Sequence, residues 1–156
     1  DGNGEYLMIR LATPQDLDAV YDLALAMREE THWKDVEFEP DRQTTVWTLM
    51  LTLATSPHHV LYVAEEEERV VGFCLGVVMA NIFVPQVPFV AELGWFVEPS
   101  YRHLGLGAKL WRHVIAWGRQ HGAKASMYSK PILEKSNGKP HRTQVTMWQN
   151  FEVSDG

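Results

Sequence analysis

Apolar positions recur at helical spacing in two segments of the first third of the chain. The first segment carries Leu17, Val20, Ala24 and Met27, and the second carries Val46, Leu49, Met50 and Leu53. An apolar stripe with this period is typical of a helix that buries one face. Thr13 and Pro14 suit the start of the first helix, and Pro57 ends the second. The pattern therefore predicts two successive helices, over residues 14–30 and 41–55.

Other runs are rich in β-branched and aromatic residues, which favours strands. They cover residues 6–12, 60–65, 70–80, 89–97 and 123–129, and the charged residues 66–69 form a hairpin turn. A third helix is predicted before the last of these strands, with Leu106, Leu110, Val114 and Trp117 on its apolar face and Gly122 at its end. This order of elements predicts an α/β fold with helices on both faces of a mixed sheet.

The two ends of the chain fit this pattern less well. In the segment 131–156, Val145, Met147, Phe151 and Val153 alternate with polar residues, although Trp148 and Gln149 interrupt the alternation. A period of two suits a strand, which could pair within the chain or across a homodimer. Residues 1–5 are expected to lie outside the packed domain, as a disordered end or a remnant of processing or expression.

Composition narrows the class of protein. The 156 residues are 46% hydrophobic and 22% charged, which fits one globular domain over residues 1–156. The net charge of −6 argues against a nucleic-acid partner and suits a cationic substrate. No apolar run reaches the length of a membrane span. The single cysteine, Cys74, fits a reducing, cytoplasmic location, and the histidines lack metal-ligand spacing, so no metal is expected.

The segment Val97–Ala108 lies between the fourth strand and the third helix, and it contains the short motif Arg-x-x-Gly-x-Gly. A helix N-terminus presents unpaired N–H groups and partial positive charge, which suit a phosphate. Glycines at 105 and 107 would let ligand oxygens approach those amides, but they could equally serve only a tight turn. Position 110 is Leu and no Gly-Lys-Ser/Thr follows, so the motif is neither a dinucleotide fingerprint nor a P-loop.

Together with the preceding Trp95-Phe96-Val97-Glu98-Pro99, this motif resembles the coenzyme A signature of the GNAT superfamily of acyl-CoA-dependent N-acetyltransferases. The resemblance implies a single-domain three-layer α/β/α fold, with a mainly antiparallel sheet splayed between strands four and five. It implies acetyl-CoA as the acyl donor, with no metal. The main chain at Phe96 and Val97 would bind the pantetheine arm. The pyrophosphate would lie against the amides of His103, Leu104, Gly105, Leu106, Gly107 and Ala108, with Arg102 either contacting it or bracing the turn.

Two residues are candidates for acid–base chemistry. Glu92, in the fourth strand, resembles the carboxylate that many GNAT enzymes use as general base, and its apolar flanks should raise its pKa. A Glu paired with a buried Arg or capping a loop is the alternative. Tyr128, in the fifth strand, is the candidate proton donor to the leaving thiolate, although a half-buried core tyrosine would have the same pattern.

The implied activity is transfer of an acetyl group from acetyl-CoA to a primary amine of a small molecule or peptide. Residues 31–40 would form a lid over the acceptor. Family members usually continue with a helix that carries Tyr-x-x-x-Gly-Phe, whereas residues 147–152 here read Met-Trp-Gln-Asn-Phe-Glu. This departure puts the usual general acid in doubt. It leaves open the alternative of a non-catalytic acyl-CoA-binding module.

Overall fold

Strands and helices follow one another largely in the order that the hydrophobic pattern predicts. The computed structural model describes residues 7–31, 35, 41–136 and 139–151. The strands are β1 (Leu7–Leu11), β2 (His59–Glu66), β3 (Arg69–Met79), β4 (Phe89–Val97), β5 (Ala125–Ser136) and β6 (Lys139–Asn150). The helices are α1 (Leu17–Glu30), α2 (Arg42–Thr55) and α3 (Leu106–Gln120), with 3₁₀ turns at Pro14–Asp16 and Pro99–Leu104. The predicted lid and residues 1–5 fall largely or wholly outside the described residues.

In the part of the chain that is described, the strands form one sheet in the order β1-β2-β3-β4-β5-β6. Neighbouring strands are antiparallel except for β4 and β5, which are parallel. A parallel pair requires a crossover connection, and α3 provides it. The predicted mixed and mainly antiparallel sheet is therefore confirmed.

Each face of the sheet has its own hydrophobic core. Helix α3 packs on one face, where the buried set includes Val60, Cys74, Val90, Leu110 and Val114. Helices α1 and α2 pack on the other face, where the buried set includes Leu17, Val20, Leu61, Val63, Phe73 and Phe96. Burying apolar side chains on both faces of the strands stabilises this arrangement. The three-layer architecture is thus the one that the sequence predicts.

Local signals explain where the helices begin and end. Thr13 and Asp16 form a capping box, and Asp41 accepts a hydrogen bond from the Thr44 N–H at the start of α2. Pro14–Asp16 form a 3₁₀ turn, so the α-helical part of the first helix starts at Leu17, later than predicted. After α3, Gly122 takes φ +91°, as expected for a C-terminal glycine.

The C-terminal segment extends the sheet. Of the alternating residues, Val145 and Met147 belong to β6, Phe151 directly follows it, and Val153 lies outside the described residues. Strand β6 pairs with β5 along its whole length, from Ala125 opposite Asn150 to Ser136 opposite Lys139. The expected strand is confirmed, and it pairs within the chain. Strand β5 runs seven residues beyond the predicted end at 129, to Ser136, because β6 supplies hydrogen-bond partners there.

Within the described residues, no helix is both long and apolar enough to cross a bilayer.

Candidate active site

Strand β4 carries a bulge near its middle. Gly76 of β3 lies opposite Glu92 and the preceding Leu75 lies opposite Gly94, so Leu93 is an extra residue in β4. An inserted residue bends its strand and interrupts the regular ladder. Leu93 is half exposed, with a relative accessibility of 52%. The bulge therefore redirects the second half of β4.

Strands β4 and β5 part at this bulge. Their parallel pairing covers only Phe89–Ala91 against Ala125–Met127. Beyond it, β4 remains paired with β3 as far as Val97, while β5 remains paired with β6. The facing edges of the two strands thus lie apart over the second half of β4. This is the splayed gap that the family resemblance implies.

The alternation of hydrogen bonds decides which main-chain groups face the gap. The Glu98 N–H donates to the Val71 carbonyl at 2.9 Å, so residues 98 and 96 bond toward β3. In an antiparallel pair the intervening residues direct their N–H and C=O groups to the opposite edge. The main-chain N–H and C=O groups of Trp95 and Val97 therefore face the gap. Of the two predicted pantetheine contacts, Val97 presents its main chain there, whereas the Phe96 main chain pairs with Phe73.

The first turn of α3 lies just beyond this end of β4. The Lys109 N–H donates to the Gly105 carbonyl at 3.2 Å and is the first main-chain donor inside the helix. The N–H groups of Leu106, Gly107 and Ala108 precede it and have no intrahelical acceptor. His103 and Leu104 belong to the preceding 3₁₀ turn, which uses i to i+3 hydrogen bonds of its own. Three adjacent amides thus lack a helical acceptor at the positive end of the helix dipole, a combination that favours an anion.

The two glycines of the motif differ in backbone conformation and in their surroundings. Gly105 has φ +69°, a left-handed conformation that other residues adopt at a cost. Gly107 lies in the helix, and a Cβ added there would meet only Trp95 atoms, the nearest at 3.7 Å. A glycine inside a helix costs about 0.5–1 kcal/mol relative to alanine. The turn explains Gly105, but protein packing does not explain Gly107, which leaves the helix start open on this side.

Arg102 joins three parts of the molecule. Its Nε donates to the Val97 carbonyl at 2.9 Å, and its Nη2 lies 2.7 Å from Glu30 Oε2 at the end of α1. The guanidinium also lies over the Phe96 ring, at 5.1 Å from its centroid. Of the two roles left open by the sequence, these contacts favour a brace that fixes the turn between β4 and α3.

Glu92 extends across the gap from β4 toward β5. Its Oε2 accepts a hydrogen bond from the Ser129 N–H at 3.4 Å. Burial raises the pKa of the Glu92 carboxyl above its usual value, and the Ser129 N–H offsets part of this effect. No Lys or Arg among the described side chains forms an ion pair with it. Glu92 is therefore a partly buried carboxylate without a counter-ion there, as the sequence analysis expects of a base.

Tyr128 belongs to an aromatic cluster on the α3 side of the gap. The cluster joins Trp95 of β4, Trp111 of α3 and Tyr128 of β5, with ring centroids 5.5–5.9 Å apart. Its members come from the two strands that part and from the helix that follows the motif. Sequence periodicity assigns the tryptophans to the core but gives no sign that they meet here. Hydrogen bonding does not single out Tyr128, because its hydroxyl has no partner in the described residues.

Across the described ranges, His, Cys, Asp and Glu side chains form no group of three or more that could hold a metal ion.

Comparison with solved structures places this geometry among known folds. YncA of Salmonella typhimurium, solved with its cofactor acetyl-CoA, superposes with a TM-score of 0.71 at 15% identity, covering 97% of each chain. An N-acetyltransferase from Staphylococcus aureus Mu50 gives 0.66 at 18% identity, covering 80% of this chain and 73% of that one. The PaiA N-acetyltransferase from Thermoplasma acidophilum, in complex with coenzyme A, gives 0.65 at 14% identity, covering 93% and 99%.

Comparison of sequences gives the family. No curated protein matches the sequence of this chain significantly. The model of the acetyltransferase (GNAT) family matches residues 18–136, which include β4, the glycine motif and α3. The match extends over most of the chain and ends before β6. The protein therefore belongs to the GNAT family of acetyltransferases.

Proposed function

We propose that the protein transfers an acetyl group from acetyl-CoA to a primary amine of a small molecule or peptide. One observation carries the proposal: the edge of β4 that β5 leaves after Ala91 ends beside the amides of Leu106, Gly107 and Ala108, which have no intrahelical acceptor. A donor that has amide groups along an arm and a diphosphate at its end could use both sets of main-chain groups. Acetyl-CoA has this chemistry.

The residues present fit such a donor. Pantetheine contains two amide groups, which can pair with a strand edge such as the Trp95 and Val97 main chain. The diphosphate can accept hydrogen bonds from the first turn of α3, where the helix dipole favours an anion. Gly107 keeps that approach free of a side chain. These three matches concern different parts of one molecule, and together they favour acetyl-CoA over a simple nucleotide.

The bound donor would supply an acyl group activated as a thioester. An amine attacks through its lone pair, which an ammonium ion lacks, so the enzyme must accept a proton. Glu92 takes this proton, directly or through one water molecule. Its raised pKa makes it a stronger base than an exposed carboxylate. Tyr128 then gives its phenolic proton to the departing sulfur; the position of both side chains beside the gap between β4 and β5 supports these roles.

The donor assignment is tested by ligand-dependent stability. Thermal unfolding is measured with acetyl-CoA, coenzyme A, ATP and NAD at equal concentrations. A ligand that binds only the folded state raises the unfolding temperature, and at equal concentration a tighter ligand raises it more. We expect acetyl-CoA and coenzyme A to stabilise the protein, and ATP and NAD to have little effect. Equal stabilisation by all four would point to an unrelated phosphate site.

The transfer itself is tested by thiol release. Acetyl-CoA is incubated with a panel of amino acids, polyamines, aminoglycosides and peptide N-termini, and free coenzyme A is measured. Acceptor-dependent release from the wild type, and its loss in Glu92→Gln, is the expected result. A protein that binds acetyl-CoA tightly but releases thiol with no acceptor would be the non-catalytic binding module.

A further inference from the structure

The indole of Trp95 lies directly against the first turn of α3. The atoms nearest to the Cβ position of Gly107 are Nε1, Cζ2 and Cε2 of Trp95, at 3.7, 3.8 and 4.0 Å. These atoms form the edge of the indole that carries its N–H group. The one polar atom of the side chain is therefore beside Gly107, whose own N–H is among the free amides of the helix start.

The Trp95 N–H group is the polar group on which the next step depends. No hydrogen bond from Trp95 Nε1 occurs in the described part of the chain. In that part of the chain, Ser126 Oγ is the only fully buried side-chain polar atom that lacks a partner. Trp95 Nε1 also lacks a partner there but is not fully buried, so it is accessible to solvent or to a ligand. The N–H of a largely buried Trp usually finds an acceptor. The Trp95 N–H and the amides at the start of α3 are therefore neighbouring donors without a protein acceptor, an arrangement that suits an anion.

The surrounding rings fix the orientation of the indole. Trp95 stacks on Trp111 at an interplanar angle of 24° and meets the Tyr128 ring edge-on at 80°. Aromatic contacts of this kind hold a ring in place as well as burying it. The Trp95 N–H is thus a pre-oriented donor, which loses little side-chain freedom when it binds.

We propose that the Trp95 indole N–H donates a hydrogen bond to the diphosphate of the acyl donor, as a fourth donor next to the amides of Leu106, Gly107 and Ala108. This inference rests on the proposed function, because it requires coenzyme A at the start of α3. It adds a side-chain contact to a site otherwise built from main-chain groups. Trp95 is a binding residue in this proposal and takes no part in proton transfer.

The test compares coenzyme A with S-acetylpantetheine, which has the same arm but no diphosphate. Trp95→Phe keeps an aromatic ring and removes the N–H. A hydrogen bond to a charged group is typically worth 1.5–3 kcal/mol, so we expect affinity for coenzyme A to fall by about tenfold or more. Affinity for S-acetylpantetheine should stay within about twofold of the wild type, since the lost partner is absent. Both affinities are measured by calorimetry.

Trp111→Phe is the matched control, because it makes the same change in the same aromatic cluster. It should shift both affinities alike and leave their ratio unchanged. Equal weakening of both ligands by Trp95→Phe would assign Trp95 to packing alone and overturn the inference, as would unchanged affinity for coenzyme A. If the wild type binds no coenzyme A, the proposed function fails and this inference fails with it.

A second measurement uses the wild type alone, so it does not depend on the folding of a variant. The Trp95 indole N–H resonance is assigned by NMR and followed as ligand is added. Coenzyme A should move it strongly, because a new hydrogen bond to an anion deshields the proton, and S-acetylpantetheine should not. A resonance that both ligands move equally, or that neither moves, would contradict the proposal.

Discussion

At the scale of single residues, Glu92 combines a chemical role with a cost to the fold. Its carboxyl is partly buried, and the only hydrogen bond that it accepts in the described residues comes from the Ser129 N–H. Burial raises its pKa, so the charged form is less favourable in the folded state than in the unfolded one. A group with a raised pKa favours folding below its ordinary pKa, and this contribution disappears as pH rises through the folded-state pKa. Near neutral pH, Glu92 therefore destabilises the protein.

Glu92→Gln should thus have opposite effects on activity and stability. We expect turnover to fall by about 100-fold or more through loss of the base. The unfolding temperature near neutral pH should rise, and the gain should vanish below about pH 4 because both states then hold a neutral side chain. In the wild type, activity should fall as pH drops through the raised pKa, and the variant should lack this limb. Rate–pH profiles and denaturation at several pH values measure both effects.

Glu66→Gln serves as the control, since Glu66 lies at the outer end of β2, away from the gap. It should leave both the rate and its pH profile unchanged. An unaltered pH profile in Glu92→Gln would remove Glu92 from the role of base.

The roles of individual residues were predictable to different degrees. Glu92 came from the family resemblance and Tyr128 from its place in the fifth strand, and both lie beside the gap in the structure. The choice between Phe96 and Val97 required the strand register, which periodicity does not reveal because both residues are apolar and buried. Trp95 had the pattern of a core residue. Its open N–H depends on its distance from Gly107, which no local sequence pattern encodes.

At the scale of elements, substitutions at the start of α3 can distinguish effects on folding stability from effects on ligand affinity. Gly107→Ala should keep or raise the free energy of unfolding by up to about 1 kcal/mol, because alanine favours the helix and its methyl group meets no close contact. The same methyl group would point to where the ligand approaches. We expect affinity for coenzyme A to fall by about tenfold, measured by calorimetry alongside denaturation.

Gly105→Ala gives the contrasting control. Its positive φ should cost about 1 kcal/mol of stability, because alanine is strained there. If Gly107→Ala destabilised the apo protein as much, helix packing would account for Gly107 and the ligand would not be needed to explain it.

The β2–β3 hairpin contains strain that can be removed. Glu67 and Glu68, at its tip, have φ +49° and +66°, a pair of left-handed residues that turns of this type usually fill with Asn-Gly. The double change Glu67→Asn and Glu68→Gly should raise the free energy of unfolding by about 1–2 kcal/mol. Urea denaturation measures the gain.

Charge repulsion among the neighbouring glutamates could produce a similar gain. The double change Glu67→Gln and Glu68→Gln removes the charges but keeps both side chains in the strained conformation. It should gain clearly less than Asn-Gly. An equal gain would attribute the effect to charge and leave backbone strain without a measurable share.

Element boundaries were predicted best where propensity and tertiary pairing agree. The predicted fourth strand coincides with β4, because its apolar run ends at Pro99 just after Val97. The fifth strand was predicted too short, because residues beyond 129 form a strand through pairing with β6 rather than through their own preference. A bulge in this strand is implied by the family resemblance, but its position at Leu93 was not predictable, since nothing in the residue pattern of β4 distinguishes an extra residue from a regular one.

At the scale of the whole molecule, a partly buried ion cluster links the first strand to its neighbour in the sheet and to the turn that precedes α1. Arg10 of β1 bonds to both carboxylate oxygens of Asp16, at 2.7 and 2.9 Å, and to Glu65 of β2 at 2.6 Å. The hydrogen bonds from Arg10 are the main reason that the pKa of Asp16 falls to about 2. A lowered pKa gives stability that is present above the ordinary value and is lost as pH falls through the folded-state value.

Asp16→Asn should therefore lower the free energy of unfolding by about 2 kcal/mol near neutral pH. The difference from the wild type should narrow between about pH 4 and pH 2, as the wild-type carboxylate becomes protonated. Asp18→Asn, at an exposed position on α1, should change stability by less than about 0.5 kcal/mol. A pH-independent difference between Asp16→Asn and the wild type would show that the charge of Asp16 is not what stabilises this corner.

The layered architecture followed from the order of elements, because each amphipathic helix needs a sheet face on which to bury its stripe. The gap between β4 and β5 did not follow from that order, since parting two strands leaves unpaired groups that local patterns give no reason to expect. It was anticipated only through the family resemblance. The fold was thus largely predictable from physical patterns, and the site was predictable mainly through the motif.

The extra residue at position 93 has a consequence for how this sheet tolerates change. The side chain of Leu93 is half exposed, so replacing it should cost little. Deleting Leu93 would restore the regular register of β4, allow its pairing with β5 to continue and close the gap between the two strands. The sheet would then be more stable, but it would have no opening for a ligand. The number of residues in β4 therefore matters more here than the identity of residue 93. Deleting this one residue would impair ligand binding more than replacing it.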